Sequence, residues 1–351
     1  MNGQGRDRES RVWTFEWGNI RGEVSALGGM LGPVTFTLPD GEEVQPFAIA
    51  PWASDPPERL ATLPPVLRGL RGEWPCVPFG MPDARMDLPA RWIMGVDRNM
   101  RAADDNVHGY ASNHCWNVLS RSGNEIVLAV DYPADHPVRR LRRRISRGEG
   151  LSLVVTLEIE MRRDAELPVG LHPVFALPQN PGSATLKIPS MTMARTFPVA
   201  VEPGTSRLVP DKTTVSLTDL ETEEGGTLDL TALPLEFATE ELVMVSLTDG
   251  RAVLADHDAN TEIELAWDVQ DFPQCLLWVS NRGRTQYPWD GRFNAIGIEP
   301  VAAAFDLGEI HSTNLESPLR QDDTKTALKL AADAVFETSY TLVVSRASSG
   351  I

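Results

Sequence analysis

The chain has 351 residues, 42% of them apolar, and a net charge of −17. That length allows two average domains or one large all-β domain, with enough apolar material for a substantial core. The acidic balance excludes nucleic acid and anionic membrane surfaces as partners, because both require a basic footprint.

Three cysteines, Cys76, Cys115 and Cys275, are widely spaced and form no C-x-x-C. An odd, scattered set fits a reducing compartment better than a disulfide scaffold. Met1 to Arg11 is polar and charged with no apolar run behind it, unlike a signal peptide. No stretch approaches the roughly 18 apolar residues of a membrane span. A soluble, cytoplasmic protein is expected.

Taken in chain order, the predicted elements are mostly strands. Pro57 to Leu70 has helical spacing, but Pro64 and Pro65 interrupt it. Ile126 to Tyr132 reads as a strand. Leu151 to Met161 alternates with period two, with Leu151, Leu153, Val155, Leu157, Ile159 and Met161 on one face and Ser152, Thr156, Glu158 and Glu160 on the other. Thr222 to Gly226 is a turn. Leu242 to Leu247, Thr261 to Trp267, Leu276 to Val279 and Ser339 to Val344 also read as strands. Thr324 to Ala334 is a candidate helix, although Leu328 to Leu330 suits a strand equally well. The 27 glycines and 27 prolines punctuate these runs as turns. Many short strands with few helices predict an all-β sandwich or barrel.

Several side chains offer chemistry. In Ala295 to Glu299 a strand would turn Ile296 and Ile298 to the core. Glu299 would then share its face with Ala295 and Gly297, leaving open space for a ligand, and Pro300 would end the strand. A bare strand-end carboxylate is the plainer reading. His172 precedes Pro173, so its backbone is extended and is expected to meet a sheet end. His108 precedes Gly109, where backbone or ligand can approach closely. His108 and His114 match no metal spacing, so no metal site is expected. Asp256 to Asn260 starts like a calcium loop, but Thr261 and Trp267 stand where that loop needs Gly and Glu; a turn is expected. Trp278 suits either a ligand wall or the core. Arg139 to Arg144 is read as a solvated strand face rather than an anion site.

Read together, four segments resemble the galactose mutarotase-like family of aldose 1-epimerases, closest to its hexose-6-phosphate epimerase branch. Arg71 to Gly80 (RGEWPCVPFG) is similar to R-G-G-x-P-x-x-x-P-x-F-G. His108 to Asn113 (HGYASN), followed by Trp116-Asn117-Val118, is similar to H-G-F-A-R-N followed by W-E-V. Gly170 to Phe175 (GLHPVF) is similar to G-L-H-P-Y-F, and Ile298-Glu299-Pro300 to a late I-E-P. Their order and spacing fit from about Arg71 to Asp306, and the closing strand Phe336 to Val344 fits the family's ending.

The resemblance implies one large antiparallel β-sandwich, a supersandwich over residues 1–351, with its site on a concave sheet face. It implies an isomerase that interconverts the α and β anomers of an aldose. His172 would be the general acid toward the ring oxygen and Glu299 the base toward the anomeric hydroxyl, with His108 assisting. Substrate contacts are expected from Arg71, Ser112, Asn113, Trp278 and Glu240, where Glu240 or Glu241 takes the place of a family aspartate. Ser112 replaces the family arginine that holds a sugar phosphate, which argues against a phosphorylated substrate. No cofactor is expected, and the partner is a small sugar, with a monomer or homodimer as the working form. The alternatives are a non-catalytic carbohydrate-binding protein on the same scaffold, or an epimerase of a phosphorylated hexose.

Overall fold

The structure, a computed structural model, describes residues 8–97 and 99–347. The first residues of the polar N-terminal stretch therefore lie outside the described part. The fold is mostly β, with a few short helices in the connections. Two large antiparallel sheets dominate. One has nine strands, running from Ala232–Leu233 at one edge to Asn117–Arg121 at the other. The other has eight strands and carries Thr239–Leu247, Gln274–Asn281 and Asn294–Ala302 at its centre. A four-stranded N-terminal sheet covers Val12 to Val44.

The alternation in the sequence maps onto these faces. In Ser152–Met161 the residues Leu153, Val155, Leu157, Ile159 and Met161 are all buried. They join one large core cluster with Val243, Val245, Leu277, Val279, Ile296 and Ile298. The opposite face of the eight-stranded sheet carries a second cluster, including Leu242, Met244, Leu276, Trp278, Ala295 and Val301. A central strand buried on both faces loses its polar alternation, which is why Gln274–Asn281 is buried throughout.

Several expectations need correction. The Asn294–Ala302 strand does not end at Pro300; it pairs with Gln274–Asn281 as far as Val301. Proline is tolerated because the ladder on its other side is broken there. Ile298 donates its N–H to Pro173, so Pro300, two residues on, turns its nitrogen to the same side, where no bond is made. His172 lies in that break, inside the sheet rather than at its end. Thr324 to Ala334 forms no helix; Leu328–Leu330 is a strand paired with Ala165–Leu167. Pro57 to Leu70 splits into two short helices, Pro57–Leu60 and Pro65–Gly69, each opened by proline.

The turn expected at Asp256 to Asn260 is formed by residues 257–260 between paired strands, and Thr222 to Gly226 connects the pair Leu220–Glu221 and Thr227–Leu228. The arginine run lies on Val138–Arg147. Arg139, Arg140, Arg142 and Arg144 point outward and pair with Asp333, Asp131, Glu158 and Glu125. Arg143 departs from the solvated-face reading: it is buried in an ion pair with Glu73. Among the described residues no helix is long and apolar enough to cross a membrane.

Candidate active site

Strand register places the central pair. Gly170 sits opposite Val301, and Val174 opposite Gly297. Carrying that register across the break sets His172 opposite Glu299. Cross-strand neighbours lie close enough for their side chains to meet, and His172 Nδ1 is 3.5 Å from Glu299 Oε1. On the next strand Leu171 pairs with Pro75, so Trp74 is opposite His172. The His172 N–H donates to the Trp74 carbonyl at 3.0 Å, and the two rings stack with centroids 4.1 Å apart. Leu276 faces Glu299 from the other side. Trp74, His172, Glu299 and Leu276 thus form one row across four strands.

Gly297 makes this row possible. A Cβ there would stand 2.3 Å from Glu299 Oε1 and 3.2 Å from the Trp278 Cβ. The space left by the small neighbours of Glu299 is therefore taken first by its own carboxyl. Gly297→Ala should push that carboxyl off His172. We expect a stability loss of about 1–3 kcal/mol, the range for overpacking a filled site. Urea unfolding of parent and variant checks this; an unchanged midpoint would refute the contact.

His108 comes from the other side of the cavity. It occupies the left-handed region (φ 57°) ahead of the short helix Gly109–Asn113. Its N–H donates to the Gly80 carbonyl at 2.8 Å, and the Gly80 N–H donates back to His108 Nδ1 at 3.3 Å. An accepting Nδ1 leaves the proton of the neutral ring on Nε2. The His108 and His172 rings meet edge to face at 5.0 Å. What approaches Gly109 closely is backbone: a Cβ there would stand 2.3 Å from the Val77 carbonyl oxygen.

Ser112 and Asn113 hold this loop from beneath and do not line the cavity. Ser112 Oγ donates to the His108 carbonyl at 2.7 Å. Asn113 Nδ2 donates to the carbonyls of Val107 and Gly109, while its Oδ1 accepts the Val66 N–H. Arg71 also lies away from the cavity, with its Nε donating to the Gly69 carbonyl.

The cavity measures about 340 Å³. Trp74, His172, Leu276, Trp278 and Glu299 form its floor; Val66, Leu67, Leu70, Met81 and Val107 form an apolar wall; Arg284, Gln286, Trp289 and Asp306 complete it. Glu240 is fully buried behind Trp278. It accepts from Trp278 Nε1 at 2.6 Å and Ser280 Oγ at 3.0 Å, and meets Arg284 Nε at 3.3 Å. It positions the wall rather than lining it. Glu241, the other candidate, points to the far face, where it accepts from Thr239 Oγ1 and the Arg207 N–H. Trp74, Arg284, Trp289 and Asp306 carry no pattern in the sequence that marks them for the site. No group of three or more His, Cys, Asp or Glu side chains among the described residues is arranged to hold a metal ion.

Burial controls protonation here. It pushes the Glu299 carboxyl well above its usual range, with the nearby Asp306 charge adding to the shift. It pushes His172 well below its usual value, with His108 adding to the shift, and brings His108 down to about 4. Both rings are neutral at pH 7. A histidine that stays neutral when folded but gains a proton when unfolded contributes stability that is complete above about pH 6.5. That contribution falls as the pH drops through the window to about 4. His108→Gln should lessen the acid sensitivity by on the order of 2–3 kcal/mol between pH 7 and pH 4. Urea midpoints of parent and variant at the two pH values measure it; parallel shifts would contradict the assignment.

The resemblance of this chain to known proteins lies in its architecture. No family model matches the sequence, and no curated protein does. Solved structures do match. The GalM/aldose epimerase homologue from C. elegans superposes with a TM-score of 0.63 at 10% identity, over 96% of this chain and 99% of that one. A galactose mutarotase-like protein from Lactobacillus casei ATCC 334 gives 0.61 at 15% identity, over 95% and 100%. Another, from Clostridium acetobutylicum, gives 0.60 at 15% identity, over 95% and 95%. This chain has the galactose mutarotase-like fold. Within the mutarotase-like sandwich the cavity opens on the face of the eight-stranded sheet turned away from the inter-sheet core.

Proposed function

We propose that the protein belongs to the aldose 1-epimerase family and interconverts the α and β anomers of an aldose in this cavity. The observation that carries the reading is the His172–Glu299 pair, 3.5 Å apart on the cavity floor with His108 beside it. Acyclic and cyclic sugar forms exchange when one group protonates the ring oxygen and another removes the anomeric proton. Each positioned group supplies roughly 10²–10⁴-fold.

Burial favours Glu299 as the acid and His172 as the neutral ring, so the pair holds one exchangeable proton between them. Passing it across the short gap gives an imidazolium beside a carboxylate. His172 then donates its Nε2 proton to the ring oxygen as the C1–O5 bond breaks. Glu299 takes the anomeric hydroxyl proton as the C1 carbonyl forms. Rotation about C1–C2 and the reverse steps close the other anomer, and the pair ends with the proton count it began with. His108 presents an Nε2–H to the sugar oxygens. Trp74, Trp278 and Trp289 offer faces that suit the C–H surfaces of a pyranose.

Magnetisation-exchange NMR on freshly dissolved α-glucose and α-galactose tests the proposal. Exchange accelerated well above the buffer rate is the expected result. Binding without acceleration would favour the carbohydrate-binding reading, and neither binding nor acceleration with either sugar or a 6-phosphate would overturn both.

A further inference from the structure

We propose that Asp306 is the residue through which this cavity reads the charge of its sugar, admitting neutral hexoses and excluding phosphorylated ones. This rests on the sugar reading of the cavity given above.

Asp306 is held in place by unusually firm local structure. It follows Phe305, a bulky residue in the left-handed region at φ 51°. Such a conformation is unfavourable for a side chain of that size and persists only where the surroundings impose it. Here they do. The Phe305 ring packs edge to face against Trp92 at 5.8 Å and Phe197 at 5.3 Å. The Asp306 carbonyl accepts the Met81 N–H at 2.7 Å, and the Ala304 N–H donates to Ser312 Oγ at 3.0 Å. Gly308, at φ 77°, lies so close to Met81 that a Cβ would stand 1.7 Å from the Met81 carbonyl oxygen. The loop is fixed on both sides of the aspartate, and the side chain lines the cavity with Glu299 and His108.

Its charge is not cancelled by a bonded partner. Burial raises the Asp306 carboxyl from its ordinary value, against which the Arg85 and Arg284 charges and its own backbone amide act, and no side-chain donor is bonded to it among the described residues. Arg284 is the sole cation lining the cavity among the described residues, and it is already matched by Glu240 at 3.3 Å and Glu202 at 3.9 Å. Arg85, the other cation whose field reaches Asp306, is paired with Asp87 at 2.8 Å. The cavity therefore presents the Asp306 carboxylate to its occupant and, among the described residues, no cation without an acidic partner. Such a carboxylate accepts hydrogen bonds from sugar hydroxyls and repels a phosphate, a repulsive device that sets specificity as effectively as an added contact. Placing like charges together in a partly buried site weakens binding by on the order of tenfold to a hundredfold or more. The buried Ser112 adds no positive charge to offset it.

The test compares glucose with glucose 6-phosphate, and galactose with galactose 6-phosphate, by anomer exchange and by calorimetric affinity. Parent, Asp306→Asn and Asp306→Ser are measured at one fixed ionic strength. The parent is expected to favour the neutral member of its better pair by on the order of tenfold or more. Both variants should narrow that ratio, and added salt should narrow it in the parent more than in the variants. Equal handling of neutral and phosphorylated sugars by the parent would overturn the inference and leave the anomer reading standing. So would an unchanged ratio in a folded variant, judged by its thermal midpoint. No exchange or binding with any of the four sugars would remove the sugar reading and this inference with it.

Discussion

Replacing Glu299 with Gln is expected to remove the acceleration of anomer exchange, a loss of roughly 10²–10⁴-fold. The change keeps shape and volume, so the side chain still fits the space above Gly297. It removes the ability to pass a proton to His172 or to take one from the anomeric hydroxyl. Sugar affinity should stay within a few-fold of the parent, because the tryptophan faces and His108 are untouched. Stability should hold or rise at neutral pH. Burial lifts the Glu299 carboxyl well above the 4.5 of an unfolded chain. As pH rises from 4.5 toward that raised value, the unfolded chain releases a proton that the folded one retains, and the parent loses stability. Gln has no proton to lose. A variant with parental exchange rate would end the catalytic reading, whereas a variant that loses rate and affinity together would assign Glu299 to binding.

The second large effect concerns the fold beneath the site. Glu73 and Arg143 form an ion pair whose side chains are each about 1% exposed. Arg143 also donates to the carbonyls of Gly29 and Glu73. Burial draws the arginine down to about 10, well above pH 7, so it stays charged. Glu73→Ala would strand that charge in the interior, with an expected loss of about 3–5 kcal/mol. Replacing both partners with methionine should recover much of the loss, because no unpaired charge then remains. Urea unfolding of the single and double variants measures both. A loss below about 1 kcal/mol in Glu73→Ala would place the pair among weak surface-type bridges. The pair matters to the cavity because Glu73 is the neighbour of Trp74, whose carbonyl and ring hold His172.

Much of the fold was legible from local pattern. Leu151 to Met161 and Thr261 to Trp267 announced their buried faces by alternation alone, since neighbouring side chains on a strand point to opposite sides. The placement of Ile296 and Ile298 in the inter-sheet core, with Ala295 and Gly297 beside Glu299, followed from the same period. The Asp256 to Asn260 turn was legible because its polar residues stand between two apolar runs.

Errors arose where a neighbouring strand, and not the local sequence, made the decision. Pro300 reads as a strand end because proline has no ladder donor. It survives inside the sheet because the segment opposite, Leu171 to Pro173, makes no bond to it there. Arg143 reads as one of a solvated run because nothing nearby in sequence announces Glu73. Leu328 to Leu330 fits helix and strand alike until Ala165–Leu167 offers it a ladder.

The amino-acid sequence by itself determined the strand faces, the turns, the acidic surface and the residue types available for proton transfer. Those follow from interactions within a few residues along the chain. Tertiary structure decided which of those residues meet. The opposition of His172 and Glu299, the stack of Trp74 beneath the imidazole and the entry of Asp306 and Arg284 into the cavity all depend on register and loop packing between distant segments. It also decided their protonation, because the depth of burial that moves Glu299 up and His172 down is a property of the assembled sheets.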